Sequence, residues 1–120
     1  MIKTDCLTEF EKELKKLSKR YRTLETDLKT FISVQLRLFH ELKQDNGGIV
    51  NIAGLGIEEP KIYKARKFAC RALSGTGSNS GIRIIYAHFA QENRIQFIEI
   101  YYKGDKEMED RTRISRHYKS

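Results

Sequence analysis

Two long apolar segments set the fold. Ile82 to Ala90 reads IRIIYAHFA, and Arg94 to Lys103 reads RIQFIEIYYK. β-Branched and aromatic residues dominate both. Glu92-Asn93 between them predicts a tight turn, so the segments form an antiparallel pair. The first is apolar almost throughout, which predicts a central strand. Ile49-Val50-Asn51-Ile52 reads as a further short strand, followed by the Gly54-Leu55-Gly56 turn. Pro60 marks the entry to another, Ile62 to Arg71. Residues 2–6 are expected to add a short strand at the start. Ser74 to Gly81 is a flexible connection.

The first half is helical in pattern. Phe10, Leu14, Leu17 and Tyr21 recur at helical spacing, and Thr8-Glu9-Phe10-Glu11 fits a capping box. Thr23 is the expected N-cap of a second helix. There Leu28, Phe31, Ile32, Leu36 and Phe39 repeat every three to four residues, to about Lys43, with a stop at Asn46-Gly47-Gly48. Residues 107–117 return to helical spacing in a polar composition. The expected order is β-α-α-β-β-β-β-α. With 120 residues the chain is one domain by length. The fold class is α+β: an N-terminal helical hairpin on one face of a twisted antiparallel sheet, with a short C-terminal helix.

The positive surplus of +7 lies wholly in the second half. Residues 1–60 hold 10 basic and 10 acidic side chains, whereas residues 61–120 hold 13 and 6. Within 61–83, Lys61, Lys64, Arg66, Lys67, Arg71 and Arg83 meet no acid. A field of one sign draws polyanions. Lys64 and Arg66 share a strand face, and the sheet face away from the helices is expected to be free to bind. Arg83 stands among apolar neighbours, so it needs solvent, a ligand or a carboxylate, for which Glu99 is the candidate.

Other chemistries find little support. No apolar run approaches the ~20 residues of a membrane helix. No signal-type segment opens the chain, so a cytoplasmic location is expected. Cys6 and Cys70 read as thiols, and His40, His88 and His117 are scattered, so no metal or other cofactor is expected. Gly75-x-Gly77 lacks the context and the Lys-Ser/Thr ending of a P-loop. No paired catalytic carboxylates or Ser/His/Asp set stands out. RNA cleavage needs neither. The ribose 2′-OH attacks the adjacent phosphate, and fixed cations stabilise the charge that develops. A Tyr or His then handles protons. Tyr63, Tyr86, Tyr101, Tyr102, His117 and Tyr118 are the candidates.

Four blocks resemble the RelE-like toxins of type II toxin–antitoxin modules, within the RelE/ParE superfamily. They are Phe10-Glu11-Lys12-Glu13-Leu14-Lys15-Lys16-Leu17, the run Ile62 to Arg71, Gly81 to Ala87, and Phe97 to Glu107. The resemblance covers nearly the whole chain. It implies an mRNA-cleaving endoribonuclease that acts without metal at the ribosome and is neutralised by a cognate antitoxin. It places catalytic cations at Lys64, Arg66, Arg83 and Lys106. Lys61, Lys67, Arg71 and Tyr86 are then expected to contact RNA, and His117 and Tyr118 to serve as acid or base. Thr112 stands where many members carry a tyrosine or histidine. Two other outcomes fit the superfamily: a gyrase-directed ParE-like toxin, or an inactive relative that only binds nucleic acid.

Overall fold

The structure is a computed structural model describing residues 2–45, 47–73 and 75–119. Asn46, in the expected helix stop, and Ser74, at the head of the expected flexible loop, lie outside the described residues. The elements are β1 (Lys3–Cys6), α1 (Thr8–Arg20), α2 (Leu24–Phe31) with a π-helical continuation (Ile32–Glu41), β2 (Ile49–Asn51), β3 (Lys61–Ala65), β4 (Ile82–Phe89), β5 (Arg94–Tyr102) and α3 (Arg111–Tyr118). The expected order of elements holds.

The sheet runs β1-β5-β4-β3-β2. Four strands are antiparallel as expected, but β1 lies parallel to β5, so the sheet is mixed. Parallel neighbours need a long crossover, and the helices with three strands of sheet supply it here. The β4–β5 ladder shifts register between Ile85 and Tyr86, leaving one extra residue on β5. Because of that bulge, Phe97 and Ile100, three apart, both join the core under the helices.

α1 presents Phe10 and Leu17 to that core, with Glu9 and Glu11 in its first turn and Lys19 and Arg20 in its last. Those charges suit the helix dipole. The capping box is not made. The Leu7 N–H bonds the Phe97 carbonyl and the Leu7 carbonyl receives Glu11 N–H, so Leu7 caps the helix and Thr8 is already inside it. Thr23 does sit at the N-cap of α2, but its hydroxyl donates to Asp27 Oδ2 at 2.6 Å and accepts from Ala72 N–H at 2.9 Å. It thereby ties the helix to the segment after β3.

β3 ends at Ala65, earlier than the expected Arg71, because Arg66 N–H turns to the Gly48 carbonyl. Phe68 keeps only a bridge to Asn79. The face opposite the hairpin is largely covered rather than free. Ile62, Ile85, Ala87 and Ile98 form a second core there with Ile114 of α3 and with Ile52, Leu55 and Ile57. Open ground remains at the end of the sheet where Arg66, just past β3, meets Arg83 of β4.

Candidate nucleic-acid interface

Three strands bring the expected cations towards one phenol. Lys64 pairs across the ladder with Ile85, and Arg83 pairs with Tyr101. Alternation puts Lys64, Arg83, Ile85 and Tyr101 on the same face. Lys106, just beyond β5, holds its ammonium 5.5 Å from the Tyr101 ring centre. Arg66 follows β3 in the position opposite Arg83, whose guanidinium donates to the Arg66 carbonyl at 2.7 Å. A cavity of about 500 Å³ opens at this end, lined by Arg66, Arg83, Lys103, Asn79, Gly81 and Tyr102 among others. Gly81 has φ +88°, and a Cβ there would approach Tyr102 to 3.0 Å, so glycine lets the chain pass under that ring.

The four expected catalytic cations fall into two kinds. Lys64 Nζ binds Glu109 Oε1 at 3.0 Å, and Lys106 Nζ binds Glu99. Glu99 also accepts Asp110 N–H at 2.8 Å, so it is fully engaged and does not partner Arg83 as the sequence suggested. Arg66 and Arg83 carry no carboxylate among the described residues. They are the cations whose charge is available to an incoming anion.

Lys64 has a mixed environment. Burial pulls its ammonium down, but Glu109 and then Tyr101 outweigh it, and the pKa is held above its ordinary value. Tyr101 is only 6% exposed. Its hydroxyl lies close enough to act on Lys64, yet it makes no hydrogen bond of good geometry with any group. A buried, unpartnered hydroxyl is costly, and it sits amid Lys64, Arg83 and Lys106.

The remaining candidates lie elsewhere. Tyr86 is wholly buried under the hairpin, hydrogen-bonded to His40 Nε2 at 2.8 Å, so it offers no face to a base. Arg71 binds Asp27 of α2 through its side chain and its backbone N–H. Lys61 sits at the opposite end of β3, paired with His88, and borders a different cavity beside Phe39 and His40. Lys67 lies near Gly47, just past Arg66. His117 faces Glu9 at 3.3 Å. The Tyr118 hydroxyl donates to Gln96 at 2.6 Å, and burial pushes its pKa well above the usual phenol value. Gln96 is five residues from Tyr101 along β5, or ~17 Å at the usual rise. The structure therefore does not bring His117 or Tyr118 to the cations.

Sequence reasoning gave Tyr101 no special place and passed over Lys103, Glu109 and Arg111. The Arg83–Tyr101 pairing was within reach of a register count from the Glu92-Asn93 turn, but the bulge in β5 defeats a simple count. Glu109 and Arg111 sit in an irregular polar stretch that offers no periodicity.

Among the described residues no group of three or more His, Cys, Asp or Glu side chains is arranged to hold a metal ion. Among the described residues no helix is long and apolar enough to cross a membrane.

A helical hairpin on one face of a five-stranded mixed sheet, a short C-terminal helix on the other, and cations on the two central antiparallel strands together define a RelE-like fold. Among solved structures the chain is similar to the archaeal RelE–RelB complex from Pyrococcus horikoshii OT3. The match has a TM-score of 0.50 at 16% identity, over 86% of this chain and 96% of that one. No protein-family model matches the chain, and no curated protein does.

Proposed function

We propose that this protein is the toxin of a type II toxin–antitoxin module and an mRNA-cleaving endoribonuclease acting at the ribosome. The observation that carries the reading is the meeting of Arg66, Arg83 and Lys103 around one open cavity, with neither arginine neutralised by a carboxylate among the described residues. The RelE-like fold supports it.

Cleavage by a 2′-OH passes through a phosphorane richer in negative charge than the diester. Guanidinium groups fixed around the phosphate stabilise that state more than the ground state. Arg83 is well suited, because its bond to the Arg66 carbonyl and its place in β4 hold it in position. Lys64 and Lys106 stand below, their charges answered by Glu109 and Glu99. None of these steps calls for a metal. The proposed partners are mRNA on the ribosome and a cognate antitoxin that covers the cationic end.

Inducible expression with mapping of mRNA 5′ ends tests the reading. Growth arrest with new 5′ ends in translated messages is expected, and Arg83→Ala should abolish both. Arrest that persists undiminished when Lys64, Arg66 and Arg83 are all alanine would sink it. DNA-damage signalling without a block to translation would move the protein to the gyrase-directed class.

A further inference from the structure

Glu109 is a deeply placed carboxylate facing the cationic end, and unlike Glu99 it bridges two cations there. Its side chain is 4% exposed and bridges two cations, Lys64 Nζ to Oε1 at 3.0 Å and Arg111 Nε to Oε2 at 3.0 Å. Next to Lys64 lies the Tyr101 hydroxyl, which acts on that ammonium but makes no hydrogen bond of good geometry among the described residues. A carboxylate here gives one oxygen to each cation and leaves the phenol unserved. A phosphodiester shares one negative charge between two non-bridging oxygens of tetrahedral spread and adds two ester oxygens as acceptors, so the same donors can all be used.

We propose that Lys64, Arg111 and the Tyr101 hydroxyl form a subsite for a backbone phosphate of single-stranded RNA, and that Glu109 occupies it as an internal stand-in until RNA displaces it. This rests on the RNA-binding reading of the cavity above. Three further observations support it. Lys64 lies two residues before Arg66, ~7 Å along the chain, so the subsite adjoins the open cavity. The segment around Glu109 has its own anchor, since Glu99 holds both Lys106 and Asp110 N–H. The Glu109 side chain can therefore swing away without lifting α3. Burial raises the Glu109 pKa, but its own backbone N–H, Lys64 and Arg111 outweigh this and lower it. The group is thus a full anion at neutral pH, as a competitor of phosphate must be.

The probe is a short single-stranded RNA, 2′-O-methylated so that it cannot be cut, followed by fluorescence anisotropy. Glu109→Gln keeps the shape and one acceptor for Lys64 while removing the charge. It should bind roughly five- to tenfold more tightly than the unmodified protein. Tyr101→Phe removes only a hydroxyl that makes no hydrogen bond of good geometry, so thermal stability should hold while RNA binding weakens about threefold. Glu109→Gln that is folded, by an unchanged melting profile, but binds no more tightly overturns the proposal. So does Tyr101→Phe with unaltered affinity, which keeps the test decisive even where Glu109→Gln fails to fold. Arg83→Ala separates the two readings. Affinity lost in Arg83→Ala but unmoved by Glu109→Gln and Tyr101→Phe leaves the RNA reading standing and removes the subsite alone.

Discussion

Arg113 shows how much of the architecture hangs on single charged residues. Its side chain is 11% exposed, and its guanidinium grips both oxygens of Glu13 on α1 at 2.9 and 2.8 Å. It also donates to the Ile98 carbonyl at 2.8 Å. Glu13 in turn accepts Ile100 N–H at 3.3 Å. One ion pair thus links α3, α1 and β5, and its surroundings hold the arginine above its usual pKa, Glu13 first, against burial. Removing one partner of such a pair strands the other charge, which typically costs ~3–5 kcal/mol. Arg113→Ala is expected to lose that much in urea denaturation. Glu13→Ala combined with Arg113→Ala should lose less than the two singles added together. Strict additivity would mean that the pair contributes no coupling. No pattern in the sequence points to this bond. Residues 100 apart cannot be paired from pattern, and Arg113 sits in a run of polar residues that all look solvated. By contrast Arg83 was legible, because a lone cation inside IRIIYAHFA breaks its own strand pattern.

At the scale of elements, the sheet and hairpin were readable because their apolar periods are long. The π-helical continuation of α2 was not. The spacing of Leu28, Phe31, Ile32, Leu36 and Phe39 suggests one unbroken α-helix. Instead the buried positions run Phe31, Leu36, His40, and bonds such as Leu42 N–H to Arg37 O step back five residues. The wider winding turns His40 inward and leaves Phe39 half-buried. His40 then stacks on His88 with ring centres 3.9 Å apart and bonds the Tyr86 hydroxyl. Burial first, then His88 and Lys43, depress its pKa to about 3, against an ordinary 6.5. His88 is shifted down as well, by burial and then Lys43 against an opposing Glu59. A folded-state pKa below the unfolded one means that the unfolded chain takes up protons first as pH falls. Stability is full above about 6.5 and is lost progressively towards about 3. The carboxylates Asp27 and Glu109, both lowered, contribute their losses only below their ordinary values of 3.8 and 4.5. The interval from about pH 7 to about pH 5 therefore isolates the histidines. Urea midpoints should fall across it by ~1–2 kcal/mol equivalent, and His40→Gln should flatten the fall. A midpoint that is constant over that interval would show that neither imidazole resists its proton.

For the whole molecule, the division of charge along the sequence does not survive folding. The second half holds 13 basic side chains, but acids of the first half reach several of them. Asp27 takes Arg71, Asp5 takes Arg94, Glu13 takes Arg113 and Glu9 takes Arg116. The acid-free stretch 61–83 is thus partly balanced in space, and composition alone overstated its reach. What remains concentrated is the cavity with Arg66, Arg83 and Lys103. A diffuse field and a focused site differ in salt dependence. Each phosphate neutralised on a single strand contributes about −0.7 to the slope of log K against log salt. Three contacts give a slope near −2 on that basis. Arg66→Ala and Arg83→Ala should each make it shallower by about 0.7, in anisotropy titrations of the uncleavable RNA over a series of potassium chloride concentrations. Arg71→Ala should leave the slope in place, since Asp27 already answers that charge on the helix side. Equal losses in Arg71→Ala and Arg83→Ala would mean that RNA feels only the net +7 of the chain, and the cavity would then lose its claim to be where the phosphate sits.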